Sequence, residues 1–484
     1  DLLEGRDTPS RGLDLAAAYI AANLAQWGVK PAGDNGSYFQ KIPLYLNKIN
    51  PNETYCEIAG ARFPFGEFIE SYLTADGTIS AEAVYVQHGW IFPKLGIDPY
   101  AGVDVKGKIV IAHGGYPPKG LDPNNVAGKK GADFIMPYEA AKTRGALAVV
   151  YVPGMYVATN WREFERRSTE NGNPSLEKNA MIAINAGPKL LQAIFAGEKH
   201  SASEIIGAGL LGKYTESFVF TSGKKITIKV SFQPGMGSTQ NVVGLIEGTD
   251  LKNEYVAIGA HYDHLGIGAE VNGDKIYNGA DDDGSGTVSV LTIAEAFAKG
   301  QKPKRSILFV WHAGEEIGVC LGSYYYTSHP TVPIDKIVAQ LNIDMVGRSK
   351  KAGDPGNPVL TGPHELYLIG SKAMSSDLEK ISERVNNSFL KLSFNYKYDD
   401  VRDPERFFTR SDHYHYAQKG IPIIFYYAGG HDDYHEPSDS IEKIDFMKIQ
   451  KIARTVYATA WEIASASSRL KIDRTLPDEW QLAK

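Results

Sequence analysis

The sequence is poor in cysteine, has no long apolar run and carries little net charge. Its two cysteines, Cys56 and Cys320, are too few among 484 residues for a disulfide framework. They could pair with each other, but we expect both to be buried free thiols. No apolar run is long enough to cross a bilayer, so we expect no membrane span. The net charge of −6 is small for this length and argues against a surface dedicated to nucleic acid.

Length and composition indicate a globular protein with more than one domain. A chain of 484 residues exceeds the size at which a single core keeps growing, so we expect two domains or one domain with a large insertion. The 27 tyrosines, 25 prolines and 49 glycines suggest the long ordered loops of exported enzymes. We therefore expect an extracytoplasmic protein, secreted or periplasmic, whose signal peptide is absent from this chain.

Two segments in the first half of the chain differ in their pattern of apolar residues. Residues 1–54 contain a helical pattern over 11–27 that ends at Gly28, and we expect this helix to pack on a core formed later in the chain. Residues 55–235 contain short β-like runs between glycine and proline turns, with one helix predicted at Pro137–Arg144. We expect this second segment to be an inserted, mainly β domain without catalytic chemistry.

Residues 236–484 alternate between strand-like and helix-like patterns, which predicts an α/β domain in which helices cover the faces of a sheet. The predicted strands are Val242–Ile246, Tyr255–Ala260, Ser306–Trp311, Ile337–Ile343 and Ile421–Tyr427. The predicted helices are Ser285–Lys299, Leu321–Ser328, His364–Val385, Ser411–Lys419 and Phe446–Ala464. A long connection at residues 386–410 is typical of a lid or a specificity loop.

Several side chains that bind metal ions follow the predicted strands of this domain. His261, Glu315, Glu316 and Asp344 each come shortly after one of those strands. In open α/β sheets ligands bind outside the carboxyl ends of the strands, so the fold can bring these side chains together. One such histidine alone would be a core residue, but the number of these groups favours a metal site.

The segment GADDDGSG places three aspartates, Asp281 to Asp283, before the predicted helix start at Ser285. One aspartate at this position would be enough to cap the helix. Three carboxylates at one turn repel one another unless a cation is present. One of them could relieve that repulsion by bridging two metal ions.

The adjacent Glu315 and Glu316 leave an apolar strand, where a carboxylate pair needs a counter-charge. The pair predicts a division of labour in which one glutamate binds metal and the other takes a proton from a water molecule at the metal. Asp263, two residues after His261, is a candidate to accept a hydrogen bond from that histidine and to fix its orientation. A solvated acidic pair is the alternative, and the apolar run before it argues against this.

A polar loop near the carboxyl end of the chain contributes one more candidate ligand. His435 follows Tyr434 directly, and His431 and His413 are competitors that composition does not separate from it. Histidine and carboxylate ligands without cysteine suit zinc and also admit cobalt or manganese. Two metals that share a carboxylate would activate a water molecule for attack on a carbonyl carbon.

The sequence resembles the co-catalytic di-zinc aminopeptidase family in five motifs. In chain order they are HYDHLG, NGADDDGSG, GEE, LNIDMVG and YHEPSDS. These zinc exopeptidases are related to glutamate carboxypeptidases, glutaminyl cyclases and transferrin receptors. The motifs span about residues 240–465. The resemblance implies a mixed β-sheet flanked by helices, of the zinc-exopeptidase type, and two Zn²⁺ ions as cofactors.

The resemblance also implies a role for each matching residue. The metal ligands would be His261, Asp282, Glu316, Asp344 and His435. His261 and Asp344 would bind one zinc ion, Glu316 and His435 the other, and Asp282 would bridge them. Glu315 would be the general base, Asp263 would orient His261, and Tyr434 would polarise the substrate carbonyl. A cis peptide is expected between Asp282 and Asp283.

Residues 55–235 resemble the protease-associated domain that is often inserted before the catalytic half in this family. The matching pieces are GVDVKGKIVIA and the strand-like GALAVVYV with the helix before it. The implied division is residues 1–54 as the N-terminal helical part of the catalytic domain, residues 55–235 as the insertion, and residues 236–484 as the di-zinc peptidase domain. Such an insertion would cover the active-site mouth and shape specificity.

The function implied by the resemblance is a zinc metallo-aminopeptidase that removes the N-terminal residue of a peptide. The acidic residues around the metals favour a free α-amine at the site. The alternative is a carboxypeptidase of the glutamate type or a dipeptidase, which needs a fixed cation for the substrate carboxylate. The candidates for that cation are Arg348, Arg402, Arg406 and Arg410. A glutaminyl cyclase is disfavoured by the inserted domain. A non-catalytic, receptor-like protein is also disfavoured, because such a protein would have lost metal ligands that are all present in this sequence.

The expected partner is a peptide with a free N-terminus, and the chain would act as a monomer or a homodimer. We expect the connection at residues 386–410, with Phe407 and Phe408, to line the substrate pocket. The sequence leaves the preferred side chain of the substrate open.

Overall fold

The computed structural model describes residues 1–71, 74–114, 130–221, 223–233, 235–350, 359–403 and 405–477. The chain divides into two compact units. The first unit contains residues 1–43 and 238–484, and the second unit contains residues 44–237. The first unit is therefore assembled from two stretches that are far apart in the sequence.

The first unit is built around a mixed sheet with parallel strands at its centre. In spatial order the strands are Met236–Ile246, Arg305–His312, Leu251–His261, Ile337–Ile343, Ile423–Tyr427, Glu365–Ile369 and Ser393–Asn395. Leu251–His261 is parallel to both of its neighbours, and Ile337–Ile343 is also parallel to Ile423–Tyr427. The carboxyl ends of these parallel strands consequently lie at one edge of the sheet. The further strands are Lys30–Pro31, Phe39–Ile49, Gly266–Val271 and Asp274–Tyr277.

Helices cover both faces of this sheet, which explains why its central strands are apolar. Every residue of strands 305–312, 337–343 and 423–427 is buried. The helices that contribute to one buried core are Arg11–Gln26, Gly284–Lys299, Ser376–Ser388 and Phe446–Ser465. The helices that contribute to a second core are Leu321–Ser328 and His413–Gln418.

The helix predicted at His364–Val385 is wrong. Residues Glu365–Ile369 form a strand, and the helix begins only at Ser376. Gly370 separates the two with a φ of +77°, a conformation that glycine adopts at little cost. Ser375 then caps the helix because its side chain accepts a backbone N–H at 3.2 Å.

The connection predicted at residues 386–410 is more regular than expected. It contains the end of the preceding helix, the strand Ser393–Asn395 and a 3₁₀ helix at Phe407–Thr409. The other strands and helices predicted for the first unit are present, several of them with longer ends. The predicted fold class, a mixed sheet flanked by helices, is confirmed.

The second unit has its own mixed sheet and more helix than the single one predicted. In spatial order the strands are Ala61–Pro64, Tyr55–Ile58, Lys225–Val230, Gly77–Tyr85, Ile109–His113, Ala148–Val152, Ile182–Ala186 and Phe68–Glu70. The helices are Pro137–Thr143, Met155–Thr159, Trp161–Glu170, Pro188–Phe195 and Ala202–Leu211. Shorter strands are Asn173–Ser175, Phe218–Val219 and Phe232–Gln233.

Two expectations about the whole chain concern its cysteines and the membrane. Cys56 and Cys320 are both free and buried, as predicted. Within the described ranges, the helices are all too short or too polar to cross a membrane.

Candidate metal centre

The carboxyl ends of the parallel strands bring the predicted ligands together. His261, Asp344 and Glu316 each follow a strand of this group, and His435 lies in the loop after the last of them. Asp282 lies in the turn that begins the helix at residues 284–299. A cavity of about 190 Å³ opens at this edge of the sheet, and Asp282 and Asp344 are in its wall. The site therefore stands where an α/β sheet ordinarily binds its ligands.

The first ligand group comprises His261, Asp282 and Asp344, which are all buried. His261 Nε2 lies 3.2 Å from Asp282 Oδ1 and 3.7 Å from Asp344 Oδ1. Ser411 Oγ donates a hydrogen bond of 2.7 Å to Asp344 Oδ2, so that Oδ1 faces the histidine. One imidazole and two carboxylates at this spacing can hold a metal ion.

The second ligand group shares Asp282 with the first. His435 Nε2 lies 3.2 Å from Asp282 Oδ2 and 3.1 Å from Glu316 Oε2. The two oxygens of Asp282 thus face different histidines, Oδ1 toward His261 and Oδ2 toward His435. A carboxylate in this arrangement can bridge two metal ions.

A third histidine, His264, joins the second group and was missed by the sequence analysis. Its Nδ1 lies 2.7 Å from Glu316 Oε1 and 3.9 Å from Asp282 Oδ2, and the side chain is fully buried. The available signal was its position in HYDHLG, in the loop that leaves the strand ending at His261. His264 and His435 consequently approach Glu316 at its two different oxygens.

The turn that carries Asp282 is fixed by its neighbours. Asp439 Oδ2 accepts hydrogen bonds from the backbone N–H groups of Asp281 at 2.9 Å and Asp282 at 3.2 Å. Asp283 caps the helix, since its Oδ1 accepts the N–H of Gly286 at 2.8 Å. The expected cis peptide between Asp282 and Asp283 is present. Of the three aspartates, Asp282 alone is shared by both histidine groups, and its neighbours hold the turn.

Glu315 lies in the cavity wall with Asp282 and Asp344. Asp263 fixes its position, because the carboxylate of Asp263 accepts the backbone N–H groups of Glu315 at 3.1 Å and of Glu316 at 3.3 Å. The same residue contacts the first ligand histidine: the carbonyl oxygen of Asp263 lies 3.2 Å from His261 Nδ1, and Oδ1 lies 3.6 Å from it. Asp263 therefore connects the two glutamates to His261.

The mouth of the cavity combines aromatic and charged side chains. Tyr434 stacks on His435 with ring centroids 3.8 Å apart, and it is 39% exposed. Glu405, Phe407 and Arg410, all from the connection at residues 386–410, also line the cavity. Beyond the ligand groups and Glu315, the cavity thus offers the carboxylate of Glu405 and the guanidinium of Arg410.

The two competing histidines have other contacts. His431 Nε2 lies 3.2 Å from Asp281 Oδ2, behind the turn that carries the shared aspartate. His413 Nε2 lies 2.9 Å from the carbonyl oxygen of Phe408, and both of these residues are buried. Neither histidine is within the two groups around Asp282.

Arg348, one of the candidate cations for a substrate carboxylate, already has acidic partners. Its guanidinium lies 2.7 Å from Asp433 Oδ2 and 3.4 Å from Asp439 Oδ1. These contacts use its charge to hold the loop that carries His435. Arg410 differs, because it reaches the cavity itself.

The carboxylates of the site change the titration of its histidines. Burial alone would lower the pKa of His261, but nearby carboxylates, first of them Asp344, raise it well above its usual value. Burial also acts against the protonation of His435, yet Glu316 and Asp282 raise the pKa of His435 to about 11. The site therefore has a strong demand for positive charge, which a divalent cation would satisfy in place of these protons.

The two adjacent glutamates differ in their electrostatic surroundings. Burial raises the pKa of Glu315 well above its usual value, and the charge of Glu316 adds to this effect. Burial acts in the same direction on Glu316, but His435 and His264 bring its pKa below the usual value. Glu315 is thus suited to accept a proton, and Glu316 is suited to ligate a cation.

Residues 241–460 match the model of Peptidase family M28. The match confirms the resemblance to the co-catalytic zinc exopeptidases.

Curated relatives match over the same region. A probable leucine aminopeptidase of Trichophyton verrucosum is 30% identical over 224 residues, which are 44% of this chain and 55% of the relative. Leucine aminopeptidase 2 of Arthroderma otae is 26% identical over 222 residues, which are 45% of this chain and 38% of the relative. The chain thus spans about half or less of the length of the curated relatives that it matches.

Solved structures match over nearly the whole chain. An aminopeptidase from Aneurinibacillus sp. strain AM-1 has a TM-score of 0.55 at 18% identity, covering 98% of this chain and 94% of that one. A zinc aminopeptidase from Bacillus subtilis, BSAP, has a TM-score of 0.52 at 19% identity, covering 99% and 96%. At these identities the likeness establishes the fold.

Proposed function

We propose that this chain is a metal-dependent aminopeptidase, which hydrolyses the peptide bond after the N-terminal residue of its substrate. The proposal rests on Asp282, which is shared by two groups of histidine and carboxylate ligands, with Glu315 in the wall of the same cavity. The match to Peptidase family M28 and the similarity to a probable leucine aminopeptidase support it.

The ligand groups fit two Zn²⁺ ions. His261 and Asp344 would hold one ion, Glu316 and His435 would hold the other, and Asp282 would contact both. Bound ions would act as Lewis acids on the substrate carbonyl and would lower the pKa of a water molecule. Cobalt or manganese would accept the same ligands.

Side chains of the protein carry out the proton transfer, hold the base in position and bind the substrate carbonyl. Glu315, whose pKa is raised, takes a proton from the attacking water and passes it to the leaving amine. Asp263 holds the segment that carries Glu315 in place. Tyr434, at the cavity mouth, donates a hydrogen bond to the substrate carbonyl.

The substrate would be a peptide with a free N-terminus. Glu405, in the cavity wall, supplies a carboxylate that can bind the α-ammonium group of such a peptide. We also propose that the second unit is a protease-associated domain and that the protein acts outside the cytoplasm, in line with its sequence resemblance.

A carboxypeptidase or dipeptidase is the second candidate function, and one observation favours it. The guanidinium of Arg410 lines the same cavity and could bind the α-carboxylate of a substrate. A dipeptidase would use Glu405 and Arg410 together.

A hydrolysis screen with two matched sets of peptides tests these proposals. One set has a free amino terminus and an amidated carboxyl end, and the other has an acetylated amino terminus and a free carboxyl end. We expect cleavage of the first set alone, lost on chelation and restored by Zn²⁺. Cleavage of the second set alone, weakened by Arg410→Gln, would establish the carboxypeptidase instead. If the zinc-loaded protein hydrolyses neither set, a dipeptide with both ends free decides the outcome: its cleavage would establish the dipeptidase, and its resistance would leave a non-catalytic protein of this fold.

A further inference from the structure

The second unit contains a cavity that the proposed hydrolysis does not use. Its volume is about 390 Å³, within the range of small-molecule sites. Much of the wall is aromatic, with the side chains Trp90, Tyr138, Tyr151, Tyr156 and Phe164. Every residue that lines it belongs to residues 69–185 and therefore to the second unit alone.

A buried carboxyl group in this wall has an unused hydrogen-bonding atom. Glu70 is the last residue of the strand Phe68–Glu70 and is only 6% exposed. Its Oε1 accepts a hydrogen bond from the side-chain amide of Asn173, whereas its Oε2 has no partner in the described structure. Burial raises the pKa of Glu70 to about 8, and hydrogen bonding by the side chains of Ser168 and Asn173 offsets only part of this effect.

A second carboxylate in the wall is also only partly satisfied. Glu139 Oε1 pairs with Lys130 at 3.0 Å, but the buried Oε2 of Glu139 has no partner among the described residues. Unpaired buried carboxyl oxygens are costly, and a ligand that donates hydrogen bonds to them would remove the cost. The cavity thus has hydrogen-bond acceptors without partners, and it suits a ligand that donates hydrogen bonds.

We propose that this cavity binds the ammonium group of an organic amine, with the group at Glu70 and its hydrocarbon part between the aromatic rings. Aromatic faces attract cations, and their apolar surface suits an alkyl or aralkyl chain. A metal ion fits poorly, because a hard cation needs several oxygen ligands and most of this wall is apolar. A peptide α-amine, a basic side chain and a free amine share this chemistry.

Isothermal titration of the full chain with 3-methylbutylamine and with its neutral counterpart, 3-methylbutanol, tests the proposal at pH 9, where Glu70 is ionised and the amine is still protonated. We expect the amine to bind at least about tenfold more tightly than the alcohol, because only the amine carries the charge. Glu70→Gln should remove this preference. The matched control Glu163→Gln changes a carboxylate on the helix Trp161–Glu170 that is absent from the cavity wall, and it should bind both compounds as the wild type does.

Tyr156→Ala is a second variant that does not threaten folding, since this side chain is 71% exposed. It removes part of the wall and should weaken binding of the amine. A titration that gives no binding of the amine, equal affinities for amine and alcohol, or the same amine affinity in Glu70→Gln and wild type would overturn the proposal. Binding that survives all second-unit variants but is lost on chelation would place the amine at the metal centre instead. Because no readout is hydrolysis, these outcomes are independent of the aminopeptidase activity.

Discussion

Asp282 is the carboxylate that the two ligand groups of the candidate centre share. Each of its oxygens faces a different histidine, at 3.2 Å in both cases. Asp439 holds the backbone at this position, so the side chain has little freedom to turn away. A fixed carboxylate with two differently directed oxygens sets the spacing of any two ions that it binds.

The role of Glu315 can be separated from metal binding. Glu315→Gln preserves the size of the side chain but removes the proton acceptor. We expect both metal ions to remain bound while hydrolysis falls by about 10²–10⁴-fold, the usual cost of losing a general base. Metal analysis and kcat measured on the same sample check this. The matched control is Glu295→Gln on an exposed helix face, where activity should not change; wild-type activity in Glu315→Gln would refute the assigned role.

The contact of His264 with Glu316 gives a prediction about metal affinity. We propose that His264 positions Glu316, because its Nδ1 lies 2.7 Å from Glu316 Oε1. His264→Ala should weaken binding of the second ion by about 10–100-fold, the usual effect of losing such a supporting contact. His264→Asn keeps a donor near the position of Nδ1 and should restore most of the affinity. If Asn behaves like Ala in a zinc titration, His264 is itself a ligand.

Glu70 predicts a pH dependence of the stability of the second unit. The pKa of Glu70 is about 8 in the folded state, against an ordinary value of 4.5. Between these values the unfolded chain loses the proton while the folded chain keeps it, so stability falls as pH rises from about 4.5 to about 8. The loss is on the order of 5 kcal/mol, since the two pKa values differ by about 3.5. Glu70→Gln should flatten this part of the profile in denaturant unfolding; parallel profiles for variant and wild type would contradict the prediction.

Most of the proposed ligand residues could be recognised in the sequence because they follow an apolar strand or lie in a distinctive turn. His261, Asp344 and the glutamate pair carry this signal. His264 does not, because its role depends on where a loop of several residues turns after the strand. The choice of His435 over its competitors likewise required the family resemblance, since three histidines lie in similar polar surroundings.

At the scale of elements, the strands of the first unit were predicted better than the helices of the second. Strands such as Ile423–Tyr427 are buried on both faces and therefore appear as continuous apolar runs. The helix Trp161–Glu170 is short and mostly polar, with Trp161 and Phe164 as its two apolar residues, so the helical signal in its sequence is weak. The wrong helix at His364–Val385 arose because a strand and a helix follow one another with only residues 370–375 between them.

Arg305 joins two elements of the first unit and predicts a stability effect. It is almost fully buried, pairs with Glu254 at 2.7 Å, and donates to the carbonyl oxygens of Ile463 and Ala466 at the end of the last helix. Arg305→Ala would leave these acceptors unpaired, and we expect a loss of about 2–4 kcal/mol in the free energy of unfolding. Urea titration measures it. Lys304→Ala, one residue away, should have little effect, and equal losses in both variants would contradict the assignment.

At the scale of the whole molecule, the two units should respond differently to metal removal. All five proposed ligands lie in the first unit and none in residues 44–237. An ion present at about 100 times its dissociation constant stabilises the folded state by about 2.7 kcal/mol. Differential scanning calorimetry with and without chelator should therefore show a lower melting temperature for the first unit alone. An unchanged thermogram, or equal shifts of both units, would contradict a metal site confined to the first unit.

The split of the first unit between residues 1–43 and 238–484 has a consequence for synthesis on the ribosome. The helix Arg11–Gln26 emerges early, but the helix and strands that bury its apolar face are translated only after the second unit. At about 5–20 residues per second, the roughly 190 intervening residues take on the order of 10–40 s. During that interval the second unit can fold, while the helix Arg11–Gln26 still exposes its apolar face. That exposed face is a binding site for a chaperone.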